Sequence, residues 1–265
     1  MIFYSSFENI YLILPIIGFV IGLFGTMLGG GGGFFFLPVL TLLLGVPAHT
    51  AVATSLAATL PIGLVGSWGH HKKGNIDVKT GSLFCVAGIV GALLGARLTN
   101  FISGSQLKLL FGIYSILIAI NMLANGARKN QQKLGKSDKA ENKLIRITKG
   151  SFFGLSAGAI AGTFGTSGTA PVIAGLFSMR LPVKLVVGTS LLVVLVNTVF
   201  AFGAHFLVGT IDITLIAFLT AGSVIGAFLG PRLFAKAKIG KSEKKVQYIY
   251  AAVVATIGIL MIVNR

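Results

Sequence analysis

The chain has 265 residues, 54% of them hydrophobic and only 11% charged, with a mean hydropathy of +0.91. Soluble domains carry about 25% charged residues, so the composition excludes a soluble globular domain and points to an integral membrane protein. The formal net charge of +16 raises nucleic acid as a partner, but Lys and Arg cluster in short loops between apolar stretches, as orientation in a bilayer requires. We expect the lipid bilayer as partner and no nucleic acid. The single cysteine, Cys85, leaves no intrachain disulfide or cysteine metal cluster.

The first nine residues carry no Lys or Arg, and no small-residue cleavage pattern follows, so the N-terminus reads as without a signal peptide. The first apolar stretch, Ile10 to Leu44, contains five consecutive glycines, Gly29–Gly33. Each costs about 0.8–1 kcal/mol relative to alanine in a helix interior, so the helix breaks here. At membrane depth such a break survives only where protein buries it or where it lines a polar cavity. Three apolar segments near the length of one bilayer follow, at 47–69, 78–96 and 107–124, and then a Lys/Asn/Gln-rich linker at 125–149. The second half repeats the plan: a broken segment at 150–178, then segments at 182–204, 213–231 and 245–263.

The halves are a repeat. Shifted by 135, residues 30–98 align without a gap, with 18 of 69 positions identical. Pro47 matches Pro182, Thr54-Ser55-Leu56 matches Thr189-Ser190-Leu191, His70 matches His205, Asp77 matches Asp212 and Arg97 matches Arg232. If each broken segment enters and leaves on one face, the loops at 70–80, 125–149, 179–184 and 232–245 share a side and hold 19 of the 22 Lys and Arg residues. A single crossing would split the charge almost evenly, against the positive-inside rule. The expected fold is therefore an all-α polytopic membrane protein of two inverted-topology repeats, each a broken hairpin segment plus three transmembrane helices. Residues 1–124 form the N-terminal repeat, 125–149 a basic cytoplasmic linker and 150–265 the inverted C-terminal repeat, with both termini outside. Inverted repeats with broken helices meeting at the midplane characterise secondary transporters.

After each break a short helix begins, with Pro38 and Pro171 in its early turns and Ser167 and Thr169 as candidate caps. A helix N-terminus presents unpaired N–H groups and partial positive charge, which suits a small anion. The substrate-binding candidates are Gly30, Gly31, Gly32 and Gly33 in the first break and Thr166, Ser167 and Gly168 in the second. Thr54, Ser55, Thr189 and Ser190 join them, each either bonding back to its own helix or facing substrate. Asn197, mid-helix, has the apolar Ile62 as its counterpart in the repeat and is an interhelical bond or a site residue. His70 and His205 are helix-end caps or gating and proton-coupling groups. Asp77, Asp212, Arg97 and Arg232 complement helix dipoles, form ion pairs, or share that coupling role. The glycine pairs Gly18/Gly22, Gly91/Gly95, Gly154/Gly158/Gly162 and Gly226/Gly230 have the spacing of close helix packing. Trp68 near a helix end reads as an interfacial anchor. No Asp or Glu falls in the expected bilayer core, and no nucleophile–base pair or metal set is apparent, so no catalytic site, cofactor or metal is expected.

The motif G-x-x-x-G-x-G-G-G-x-x-x-x-P at Gly25–Pro38, followed by Ala53-Thr54-Ser55-Leu56 and echoed by Gly188-Thr189-Ser190-Leu191, resembles the TauE/SafE sulfite-exporter family, also called TSUP. The resemblance extends from about Ile10 to Val263. It implies transport of sulfur-containing anions such as sulfite, sulfoacetate or other organosulfonates across a prokaryotic inner or plasma membrane, with export of sulfite as the specific expectation. A passive anion channel, or a transporter of another small anion, is the alternative. A homo-oligomer is compatible with either.

Overall fold

A computed structural model describes residues 2–128, 143–236 and 243–265. Most of the expected linker, 129–142, and part of the last basic loop, 237–242, lie outside the described residues. The first half comprises α1 (Leu14–Leu28), α2 (Gly33–Pro38), α3 (Ala48–His71), α4 (Val78–Thr99) and α5 (Gly104–Arg128). The second comprises α6 (Lys143–Phe164), α7 (Thr169–Ser178), α8 (Val183–Val208), α9 (Ile213–Lys236) and α10 (Glu243–Val263). Among the described residues, six helical stretches are long and apolar enough to span a bilayer: Asn9–Leu28, α3, α4, Gly104–Ala124, Val183–Leu207 and Ile213–Phe234. The chain is an all-α polytopic membrane protein. Its only described sheet is a two-residue parallel pairing of Ile2–Phe3 with Ile211–Asp212.

Helices α3 and α8 are the most buried spans and form the centre. Around them, α1 packs along α9 and α4 along α6. Both crossings are backbone against backbone. A Cβ on Gly18 or Gly22 would lie 2.2 or 2.1 Å from the carbonyl oxygen of Leu219 or Ser223. One on Gly154 or Gly158 would lie 2.5 or 1.9 Å from that of Phe84 or Gly88. Small residues every four positions remove the side chains that would hold these axes apart, leaving dispersion contact between backbones. The packing reading of the glycine pairs is the one the structure displays. The outer faces carry exposed Val86, Val90, Leu94, Leu117 and Ile225, a surface fit for lipid rather than water.

The two breaks are built alike. Helix α1 ends at Gly29 (φ 78°) and α2 begins after Gly32 (φ 77°). Helix α6 ends before Gly165 (φ 65°) and α7 begins after Gly168 (φ 56°). Left-handed backbone at both edges explains why glycine occupies these four positions. The structural register differs from the gapless alignment in one respect. Gly29 pairs with Gly165 and Gly32 with Gly168, an offset one residue larger than at Pro47 and Pro182. The first half takes up its extra residue after the break. There α2 continues into a π-helical turn, Val39–Leu43, whereas α7 is α-helical to Ser178. A π turn holds one more residue than an α turn. Pro38 accordingly ends α2, while Pro171 lies in the first turn of α7.

Candidate functional site

The breaks meet in the centre of the molecule. A Cβ on Gly33 would lie 3.2 Å from the Ser167 backbone nitrogen and 2.8 Å from Thr59 Oγ1. One on Gly31 would lie 2.8 Å from Val194 and 3.7 Å from Ser167 Cβ. The Thr169 hydroxyl donates to the Gly30 carbonyl oxygen at 2.9 Å, across the two breaks. The Ser167 hydroxyl, 2.7 Å from Thr169 Oγ1, is then the donor of that pair. Neither side chain caps α7, whose N-cap is Gly168 without a side-chain bond. The capping expectation for Ser167 and Thr169 is thus replaced by a hydroxyl chain that ties one break to the other.

Several donors at this junction are left over. Thr166 is 2% exposed, and its hydroxyl has no hydrogen-bond partner among the described residues. The backbone N–H groups of Gly32, Gly33, Thr166, Ser167 and Gly168 likewise make no hydrogen bond among the described residues. These positions are buried. A buried, unpaired donor costs about 1–3 kcal/mol, so such a cluster calls for an explanation.

The paired hydroxyls of α3 and α8 are already engaged. Ser55 Oγ donates to the Gly165 carbonyl at 2.7 Å, and Ser190 Oγ donates to the Gly29 carbonyl at 2.8 Å. Each pins the first residue of the opposite half's break. Thr189 Oγ1 accepts from the Asp77 N–H at 2.9 Å, and Thr54 Oγ1 accepts from the Asp212 N–H at 3.3 Å. These threonines fasten the entry to α4 and α9. Asn197 is fully buried with neither amide atom bonded among the described residues, and its Oδ1 sits against Gly88 of α4.

The histidines cap helices other than their own. His70 Nε2 lies 3.2 Å from the Thr26 carbonyl in the last turn of α1, and His205 Nε2 lies 2.7 Å from the Gly162 carbonyl in the last turn of α6. A carbonyl accepts, so each Nε2 carries the proton. His70 Nδ1 faces the Asn75 amide at 3.3 Å, which satisfies a neutral ring at both nitrogens. Asp77 caps α4 through the Thr80 N–H at 3.2 Å and pairs with Arg146 at 3.5 Å. Burial raises its pKa, but the Thr80 hydroxyl and N–H, the Arg146 charge and the Lys79 N–H together hold it below the ordinary carboxylate value. Asp212, 2% exposed, accepts from the N–H groups of Thr214, Leu215 and Ser5. Arg97 is exposed, and Arg232 stacks 4.0 Å over Phe228.

The structure therefore brings together Gly30–Gly33 and Thr166–Gly168, with Ser55 and Ser190 behind them, and sets the His, Asp and Arg candidates at helix ends. Thr59 and Val194 escaped the sequence reading. They occupy equivalent positions in α3 and α8 and touch the first break. The available signal was spacing: Thr59 lies one turn beyond Ser55 on the same helix face, and its hydroxyl donates to the Ser55 carbonyl at 2.7 Å.

Two broken segments abutting inside a shell of spanning helices is the architecture of a membrane transporter. Sequence comparison agrees: residues 14–261 match the family described as "Sulfite exporter TauE/SafE", and the chain belongs to that family. It is 32% identical over 229 residues to the probable membrane transporter protein YdhB of Bacillus subtilis, covering 83% of this chain and 89% of that one. It is 28% identical to a probable membrane transporter protein of Xylella fastidiosa, covering 93% and 91% of the two chains. With the probable membrane transporter protein MJ0441 of Methanocaldococcus jannaschii it shares 26% identity over 99% of this chain and 100% of the relative. No solved structure matches.

Proposed function

We propose that the protein is a secondary transporter that exports a small sulfur oxyanion, sulfite or an organosulfonate, bound where the two breaks meet. The observation that carries this reading is the set of buried donors without partners: the Thr166 hydroxyl and the N–H groups flanking Gly32 and Gly168. An oxyanion would satisfy several at once, in the partial positive charge of two helix starts. No carboxylate, one of the two usual ligand types of a cation site beside arrays of carbonyls, lies at the junction. The sulfur chemistry rests on family membership.

In this reading the halves have opposite orientation, the basic loops and the linker face the cytoplasm, and both termini lie outside. The matched bonds of Ser55 with Ser190 and of His70 with His205 support a twofold relation. Alternating access then comes from rocking one repeat against the other. Arg232 and Arg97 lie near the ends of α9 and α4, away from the breaks, and the engaged histidines act as fasteners rather than proton carriers.

The test is flux in proteoliposomes loaded with labelled sulfite, sulfoacetate, thiosulfate or sulfate, with and without a pH gradient. Saturable movement of a sulfur anion that the others inhibit is expected. If none moves or competes, the substrate assignment is wrong. Conductive, voltage-driven flux indifferent to a proton gradient would instead mark a passive channel.

A further inference from the structure

A pocket rimmed by basic side chains stands apart from the breaks, at the end of the molecule where the basic loops gather. The end of α3, the residues that follow it and the last turns of α9 border a half-open pocket of about 140 Å³ lined by Trp68, Lys72, Lys73, Phe228 and Arg232. Gly69 lets the helices close behind it, since a Cβ there would lie 3.0 Å from Pro231. The Lys73 ammonium reaches the Pro231 carbonyl, bridging α3 to α9. Lys72, Lys73 and Arg232 thus border one pocket whose lining is mostly apolar, and none has a carboxylate partner among the described residues. Burial, and then the Arg232 charge, pull the Lys73 pKa below the ordinary lysine value, as expected of crowded cations lacking a counter-anion.

Aromatic rings hold the charges in place. Lys72 Nζ sits 3.7 Å over the Trp68 ring and the Arg232 guanidinium 4.0 Å over Phe228. Trp68 is 51% exposed, as a tryptophan at headgroup depth would be. The pocket has no twin. In the repeat register Trp68, Lys72, Lys73 and Phe228 correspond to Gly203, Leu207, Val208 and Leu93, so only Arg232 has a basic counterpart, Arg97. The feature therefore belongs to one end of the molecule alone, the end of the basic loops.

We propose that this pocket binds the phosphate of an anionic phospholipid headgroup in the leaflet facing the basic loops. Basic pockets between spanning helices on that side suit such headgroups. Trp68 and Phe228 provide the apolar rim along which the acyl chains leave, and the three cations surround the phosphate. The pocket uses no residue of the breaks, so its occupancy is independent of what the protein transports.

Trp68 is the only tryptophan of the chain, so its emission reports this site alone. The full chain in phosphatidylcholine nanodiscs is titrated with phosphatidylglycerol carrying brominated acyl chains, with brominated phosphatidylcholine as reference. Preferential, saturable quenching by the anionic lipid is expected. Lys72→Gln and Arg232→Gln should each lower that preference about fivefold, the effect of one cation at an anionic surface, while Arg97→Gln should leave it unchanged. Lys72 is exposed, so its replacement keeps the fold. Equal quenching by both lipids, or a preference that survives both Gln variants, would overturn the proposal. Displacement of the brominated lipid by inorganic phosphate at micromolar concentration would assign the pocket to a free anion and overturn the lipid reading.

Discussion

At the scale of single residues, Thr166 carries the sharpest expectation. Its hydroxyl is buried without a partner among the described residues, at a cost of about 1–3 kcal/mol. Thr166→Val keeps the shape and removes that cost. The thermal midpoint of the unliganded protein should rise while sulfite flux falls by roughly tenfold or more, since a charge-assisted hydrogen bond contributes about 1.5–3 kcal/mol. Raised stability with unchanged flux would place the hydroxyl outside the site. Asp77 carries a pH expectation. Its folded pKa lies below the ordinary carboxylate value, so the charge stabilises the fold above the unfolded value of about 3.9 and that contribution disappears as pH falls through the folded value. Asp77→Asn keeps a capping side chain and loses the charge. It should lower stability at pH 7 by less than about 1 kcal/mol, because the Arg146 pair is partly exposed, and the difference from wild type should vanish once the pH has fallen below the depressed folded value. A deficit that persisted in acid would trace to the cap and not to the charge.

At the scale of elements, the crossings of α1 with α9 and α4 with α6 hold the frame in which the breaks sit. Gly158→Ala places a Cβ 1.9 Å from the Gly88 carbonyl oxygen, so the helices must separate, at a cost of about 1–3 kcal/mol. Gly203→Ala in α8 meets nothing within 4 Å and should be neutral or stabilise by up to about 1 kcal/mol. Midpoints of the two variants in one detergent decide the matter, and equal effects would contradict the packing account. The four-residue glycine spacing was legible because close crossing demands small residues whatever lies opposite. The first break was legible because five glycines cannot continue a helix cheaply at membrane depth, and the second because the repeat sets Gly162–Pro171 against it. The register between the breaks was not. The π turn at Val39–Leu43 consists of Val, Leu and Thr, residues that an α-helix accepts equally, so its extra residue leaves no mark in composition. The hydroxyls of Thr54 and Thr189 were legible as important but not in role, since a threonine on a helix reads the same whether it faces a ligand or the N–H of another helix.

At the scale of the whole molecule, the proposed orientation rests on charge asymmetry. The described contacts agree with the loop grouping. Arg146 pairs with Asp77, Lys149 reaches the Ser178 carbonyl and Lys73 the Pro231 carbonyl on one face, whereas Lys108 reaches the Asn264 carbonyl on the other. Cys85 is buried and is the sole cysteine, so Cys85→Ser provides a background for single-cysteine mapping. Lys79→Cys should react with an impermeant thiol reagent only from the cytoplasmic side, and Phe101→Cys only from outside. Reaction of both from one side would contradict the proposed orientation. The central claim is that the two breaks together hold one small anion. Equilibrium binding of labelled sulfite to the purified protein tests it most directly, comparing wild type with Thr166→Val and with Gly33→Ala, whose Cβ would intrude 3.2 Å from the Ser167 nitrogen. The account predicts saturable binding to wild type at one site per chain, weakened at least several-fold by each substitution. Binding of unchanged affinity in both variants would contradict it.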